Sequence, residues 1–188
     1  MKRFDEVFQD CTSYGTKIKT DQYCNEGKYA IIDQGQNDIA GYTDIEEGVF
    51  TDVPAIIFGD HTRVIKYVDC PFFLGADGVK LLKAKQPDAN YRYLYYALRQ
   101  VKIPNTGYNR HFKWLKEAQI PVPSVDEQER IVSVLDNAEH IINFRQQQLT
   151  ELDTLIKARF VEMFDSLEDN QKDFSIVTIG DVCSLVKD

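Results

Sequence analysis

The 42 residues from Ser124 to Asp165 contain neither glycine nor proline. Ser124 and Glu127 have the S-x-x-E spacing of a capping box, in which each side chain satisfies a backbone donor at a helix start. Behind them Ile131, Leu135, Ala138, Ile142, Arg145, Leu149, Leu152, Ile156, Arg159 and Met163 recur in alternating steps of four and three. That is a coiled-coil seam, interrupted by Arg145 and Arg159. At 1.5 Å per residue, about 40 residues make a helix roughly 60 Å long. A helix with such a stripe requires a partner. No second apolar run of comparable length occurs in the chain, so the partner is expected outside these residues.

The 188 residues suffice for one globular domain, residues 1–122, one long helix, residues 123–167, and a tail, residues 168–188. The net charge of −8 is unevenly placed. Residues 1–115 hold 15 Lys/Arg and 15 Asp/Glu, whereas residues 116–188 hold 7 and 15. The acidity therefore belongs to the helix and tail, and the globular part is free to carry a basic face. Cys11, Cys24, Cys70 and Cys183 are scattered without C-x-x-C or histidine at ligand spacing, and read as free thiols. With no apolar leader and no membrane-length run, a soluble, cytoplasmic protein without a membrane partner is expected.

Before the helix, short β-branched and aromatic runs alternate with turn signals. Tyr29–Ile32, Ala55–Phe58, Val64–Tyr67, Phe72–Leu74 and Val79–Leu82 are separated by segments such as Asp33-Gln-Gly-Gln-Asn37 and Gly75-Ala-Asp-Gly78. This pattern predicts a mostly antiparallel β domain. Pro87-Asp88 opens a predicted helix with Tyr91, Leu94, Tyr95 and Leu98 on one face. Gly107-Tyr-Asn109 is a turn, and His111–Gln119 forms a short predicted helix. Ile120-Pro-Val-Pro123 is extended, because a residue before proline is pushed out of the helical region. The fold class is α+β, a β-rich domain followed by a long coiled-coil-forming helix. In the tail, Phe174 and Val177 echo Phe4 and Val7 at an offset of 170. That spacing is either chance or the start of a second copy of the unit.

The run from Gly107 to Ile131, with Ile120, Pro121, Pro123, Glu127, Gln128 and Ile131 in an I-P-x-P-x-x-x-E-Q-x-x-I pattern, resembles the specificity subunits of type I restriction–modification systems. Leu149–Phe164 and the segments from Gly15 to Lys19 and Phe72 to Lys80 extend the resemblance over nearly the whole chain. The resemblance implies a DNA target recognition domain that reads one half of a bipartite double-stranded site. It also implies a helix that packs antiparallel on a second such helix and sets the gap between halves. The partners implied are methyltransferase and restriction subunits, which would carry S-adenosylmethionine, ATP and magnesium; no cofactor is implied for this chain. One domain and one helix correspond to a half-length or truncated form, whose second half is a second copy or a separate segment.

Reading a duplex requires cations and amides on loops: phosphate contacts fix register and base-edge contacts fix sequence. Candidate contacts are Lys17 and Lys19; Gln34, Gln36 and Asn37; His61, Thr62, Arg63 and Lys66; and Asn109, Arg110 and Lys113. Each group has a plainer reading: a solvated strand edge for the lysines, an ordinary turn for 34–37, and a brace on the helix for Asn109 and Arg110. Tyr91, Tyr93, Tyr95 and Tyr96 suggest base stacking, but their helical spacing favours core packing. On the helix, Ile131, Leu135, Ile142, Leu149, Leu152, Ile156 and Met163 are the pairing residues. Arg145 and Arg159 either pair with acids of a partner helix or snorkel at its edge.

No G-x-G-x-x-G, Walker lysine loop or N/D-P-P-Y/F motif is present, and His61, His111 and His140 lack metal-ligand spacing. The expectation is a non-catalytic chain with no metal site. A different class, a coiled-coil adaptor whose head binds protein, fits the acidic helix and neutral head and is separated from the first by DNA binding.

Overall fold

A computed structural model of the chain describes residues 1–75, 78–107, 109–164, 175 and 177–184. Ala76, Asp77, Tyr108, Asp165 and Phe174, which figured in the turns, the helix end and the tail echo, lie outside the described residues. In chain order the elements are β1 (Lys2–Arg3), α1 (Phe4–Val7), β2 (Phe8–Asp10), β3 (Tyr29–Ile32), β4 (Gly41–Thr43), β5 (Ala55–Gly59) and β6 (Ile65–Val68). They continue with β7 (Phe72–Leu74), β8 (Val79–Ala84), α2 (Tyr91–Arg99), α3 (Phe112–Lys116), β9 (Gln119–Ile120), α4 (Val125–Phe164) and α5 (Ile179–Val182). The chain divides into two compact units, residues 1–134 and 135–188.

The first unit is built on β5. Its residues Ala55-Ile-Ile-Phe-Gly59 are all buried, because β5 lies between β8 and β6 in a four-stranded antiparallel sheet ordered β2-β8-β5-β6. Successive side chains of a strand point to opposite faces. Ile56 and Phe58 accordingly join Phe8, Leu82, Leu94, Leu98, Phe112 and Leu115 in one apolar cluster, under α2 and α3. Ala55 and Ile57 join Ile32, Phe72, Leu74 and Leu81 in the other, under a second sheet ordered β4-β3-β7. A strand covered on both faces reads as an unbroken apolar run, as this one does.

The expectation of a mostly antiparallel domain holds with one exception among the strand pairs: β3 and β7 pair in parallel, Ala30 opposite Phe72 and Ile32 opposite Leu74, and an isolated parallel bridge joins Lys17 to Leu74. Four strands were not anticipated. β1, β2, β4 and β9 are two or three residues long, too short for a visible alternation. The β1–β9 pair, Lys2 opposite Ile120 and Arg3 opposite Gln119, ties the start of the chain to the residues just before the prolines.

Helix boundaries also differ from the sequence expectation. α2 starts at Tyr91, where the Asn90 side chain accepts the Tyr93 N–H at 3.0 Å, so Asn90 and not Pro87-Asp88 opens the helix. The Tyr93 hydroxyl donates to the Pro121 carbonyl at 2.9 Å, fixing the extended linker against α2. At the start of α4, Glu127 gives both carboxylate oxygens to Arg130, at 2.9 and 3.1 Å, and so turns forward along the helix instead of back toward Ser124. Gln128, the other half of the EQ pair, is buried and donates its side-chain N–H to the Pro123 carbonyl at 2.9 Å. Ile131 and Val132 pack on the core of the first unit, so that compact unit runs through residue 134 and takes in the first turns of α4.

The second unit contains the remainder of α4 and the tail. Ile142, Leu149, Leu152, Ile156 and Met163 are exposed, Ile142 at 66%, while Ile131 and Leu135 are half-buried. Ile141 and Leu155, one residue ahead of seam positions, are also exposed, so the apolar stripe is wider than the strict seam. Arg145 and Arg159 bond along their own helix, to Gln148 at 2.7 Å and Glu162 at 2.5 Å. In the tail, α5 repeats the local structure of α1. The Thr178 N–H donates to Asp181 at 2.8 Å, as the Arg3 N–H donates to Glu6 at 2.6 Å, each just ahead of a four-residue helix. On this local likeness Val182 corresponds to Val7, an offset of 175; the offset of 170 rests on Phe174, outside the described residues.

Candidate nucleic-acid interface

The loops that carry the candidate residues meet at one end of the β domain. After β3, Asp33 Oδ1 accepts the Gly35 N–H at 2.7 Å and closes the 33–37 turn. After β5, the Arg63 N–H donates to Gly59 O and the Gly59 N–H to Val64 O, both at 2.8 Å, closing a tight turn in which Arg63 has φ of +64°. These two turns are bonded to each other. Gln34 Oε1 accepts the His61 N–H at 3.1 Å, and the Thr62 hydroxyl donates to Gln34 O at 2.6 Å. The approach requires glycine at 59: a Cβ there would stand 2.2 Å from Thr62 Oγ1 and 2.9 Å from Gln34 Cβ.

Asp60 draws in the third loop. Its carbonyl accepts the His111 N–H at 2.8 Å and faces the ring Nδ1 at 3.0 Å, and its carboxylate accepts the Phe112 N–H at 2.7 Å. His61 Nδ1 lies 3.3 Å from the Asn109 carbonyl. Segments that are distant in sequence, around residues 34, 61 and 110, thus form one surface. The Lys17 segment joins its border, since Ile18 donates to Leu74 O at 2.9 Å and Gly75 donates to Ile32 O at 2.8 Å.

The candidate residues divide by what they touch. Gln36, Asn37, Asn109, Arg110, Lys113, Lys17 and Lys19 are exposed, and His61 and Arg63 half-buried. Gln34 and Thr62 hold the two turns together. Lys66, expected among the exposed contacts, has a side chain only 3% exposed; its ammonium donates to Asn37 O at 2.5 Å and to Asp33 at 3.4 Å. Burial holds its pKa below the ordinary lysine value, outweighing the opposing pull of Asp33. It lies on β6 facing the 33–37 turn, so it braces that turn from below, a placement that strand alternation alone does not reveal.

Beside Arg63 is an open cleft of about 410 Å³. Gln36 and Asp38 come to it from one turn, Arg63 from the other, and Tyr95 and Arg99 from α2, over apolar residues that include Ile65 and Ile103. Arg99 donates to the Tyr95 hydroxyl at 2.9 Å, and the Arg92 guanidinium lies 4.9 Å from the Tyr67 ring centre and 5.2 to 5.4 Å from those of Tyr96 and Tyr95. Asp38, Arg92 and Arg99 were absent from the sequence expectation. The signal for the arginines was their i, i+4 spacing to Tyr96 and Tyr95; Asp38 had none. Of the tyrosines, Tyr93 and Tyr96 are buried, the Tyr91 hydroxyl accepts the Ala84 N–H at 2.9 Å, and only Tyr95 reaches the cleft.

Among the described residues no group of three or more His, Cys, Asp or Glu is placed to hold a metal ion, and no helix is long and apolar enough to cross a membrane.

A loop-presenting β domain followed by one forty-residue helix is an architecture shared with known chains. An S subunit of a type I restriction–modification system from M. genitalium superposes with a TM-score of 0.63 at 21% identity, over 89% of this chain and 46% of that one. A chain from a structure of type I R-M complex assembly and conformational transition gives a TM-score of 0.55 at 19% identity, over 84% and 42%. In sequence, the chain is 23% identical over 142 residues to the type I restriction enzyme EcoR124I/EcoR124II specificity subunit of Escherichia coli, covering 72% of this chain and 35% of that subunit. The family described as type I restriction modification DNA specificity domain matches residues 1–154. The chain belongs to that family. It spans about a third of the length of its curated relative and under half that of the solved ones.

Proposed function

We propose that the chain is a non-catalytic DNA-specificity subunit, or half of one, whose first unit reads one half of a bipartite double-stranded site. The observation that carries this reading is the gathering of three sequence-distant loops into one surface bearing exposed amides and cations, on a chain of a DNA-specificity family. Gln36, Asn37 and Arg63 are the base-directed groups, able to pair with adenine or guanine edges. Lys17, Lys19, Arg110 and Lys113 are phosphate contacts that set register without selecting sequence. Gln34, Thr62 and Lys66 hold the loops in place.

The exposed stripe of α4 packs on a second helix of the same kind in antiparallel sense, from a second copy or a second half, and the pair spaces the two readers. Methyltransferase and restriction subunits dock on this assembly and carry S-adenosylmethionine, ATP and magnesium. The chain itself contributes recognition. The test is the affinity for random duplex DNA of the chain reconstituted with its methyltransferase subunit, measured as salt rises. Binding that weakens log-linearly with salt is expected, because neutralised phosphates release counterions. Absent or salt-independent binding would refute the reading.

A further inference from the structure

We infer that Arg63 and Asp38 together read one G·C base pair of the target, Arg63 on guanine and Asp38 on cytosine. This deepens the DNA-recognition reading above and rests on it. Arg63 is the one non-glycine residue with positive φ among the described residues. The left-handed region disfavours an arginine, and glycine or asparagine would occupy it at lower cost. The turn uses only the Arg63 backbone N–H, bonded to Gly59 O, and gives the side chain nothing for its Nε, which is buried without a hydrogen-bond partner. Residues held in sparsely populated backbone regions cluster at binding sites, where the strain serves a ligand.

The surroundings narrow the ligand. Arg63 and Asp38 line the same open cleft from two turns that are bonded to each other through Gln34, so their relative position is braced. Lys66, beneath the 33–37 turn, holds Asn37 by its carbonyl and so anchors the residue before Asp38. A phosphate would be drawn to Arg63 but repelled by the carboxylate. A G·C pair has complementary needs in its major-groove edge: guanine presents two acceptors, N7 and O6, to a guanidinium, and cytosine presents the N4 amino donor to a carboxylate. An A·T edge, with one acceptor and one donor on adenine and an acceptor on thymine, offers neither a bidentate site for arginine nor a donor on the pyrimidine for Asp38.

The experiment is selection of bound duplexes from a randomised library by the chain reconstituted with its methyltransferase subunit, followed by affinities for every single-base change in the selected site. Wild type is expected to require G·C at one position. Arg63→Gly and Asp38→Asn are expected to lose roughly tenfold or more of the discrimination at that same position and to leave the others unchanged. Arg63→Gly is compatible with φ of +64°, so an undiminished melting temperature beside lost discrimination separates reading from folding. Uniform weakening at every position would overturn the inference and make Arg63 a phosphate contact, leaving the DNA-recognition reading intact. Loss at two different positions, or no fixed G·C in the selected site, would also overturn it. Failure of wild type to bind any duplex would overturn both.

Discussion

The side-chain oxygen of Gln34 and the backbone N–H of His61, 27 residues apart in sequence, form a hydrogen bond of 3.1 Å that joins the β3 and β5 turns. Gln34→Ala is expected to lose about 1 kcal/mol of stability, since the bond is half-buried and its N–H is left to find water. The larger effect falls on recognition. Gln36, Asn37 and Arg63 lose their common frame, and affinity for the specific site drops more than affinity for random DNA. A urea titration and paired DNA titrations measure the two effects separately.

Lys66→Met should hold stability within about 1 kcal/mol of wild type, because relief from a buried ammonium offsets the lost bonds to Asn37 and Asp33. The sign follows from the lowered pKa. A group depressed on folding contributes stability above its unfolded value, and that contribution is lost as pH falls through the folded value. Protonation of the Lys66 amine is therefore a cost to folding. Amide exchange in residues 33–38 is expected to quicken in this variant while the β5 and β8 amides stay protected.

Asp10 gives an acid-side prediction. Burial raises its pKa, but hydrogen bonds from Thr12 and the charge of Lys80 outweigh burial and leave it below the ordinary value of 3.8. Its contribution is complete above that value and disappears as pH falls through the lowered folded one. Asp10→Asn should therefore be less stable than wild type at pH 7, with the difference shrinking as pH falls below about 4. Urea midpoints at the two pH values check this.

Gln128→Glu puts a carboxylate against the Pro123 carbonyl that the amide now bonds at 2.9 Å. Loss of a buried donor and burial of a charge beside an acceptor are expected to cost about 2 kcal/mol. Amide exchange should locate the loosening in residues 120–132, at the junction of linker and α4.

Leu149→Glu tests the pairing of α4. Light scattering of the wild-type chain at tens of micromolar is expected to give the mass of a dimer, and the variant that of a monomer with unchanged melting of the first unit. A monomeric wild type would refute self-pairing.

Sequence periodicity determined the long helix, because forty residues without glycine or proline and with an apolar seam satisfy their backbone locally. It also determined five of the strands, of which β5 and β7 are buried on both faces and so leave a continuous apolar run such as Ala55–Phe58. The two-residue strands β1 and β9 were not legible, since a pairing so short exists only when the fold brings its partner near. The candidate loops were legible as loops from their glycine and polar residues. Their convergence was not, and neither were the roles within them. Gln34, Gln36 and Lys66 are all polar residues in or beside turns. Only tertiary structure decides that Gln34 spends its amide on His61, that Lys66 points inward to Asn37, and that Gln36 faces solvent beside Arg63 and Asp38. Hydrogen bonds between residues 27 or more apart are set by how strands stack, and no local pattern encodes them.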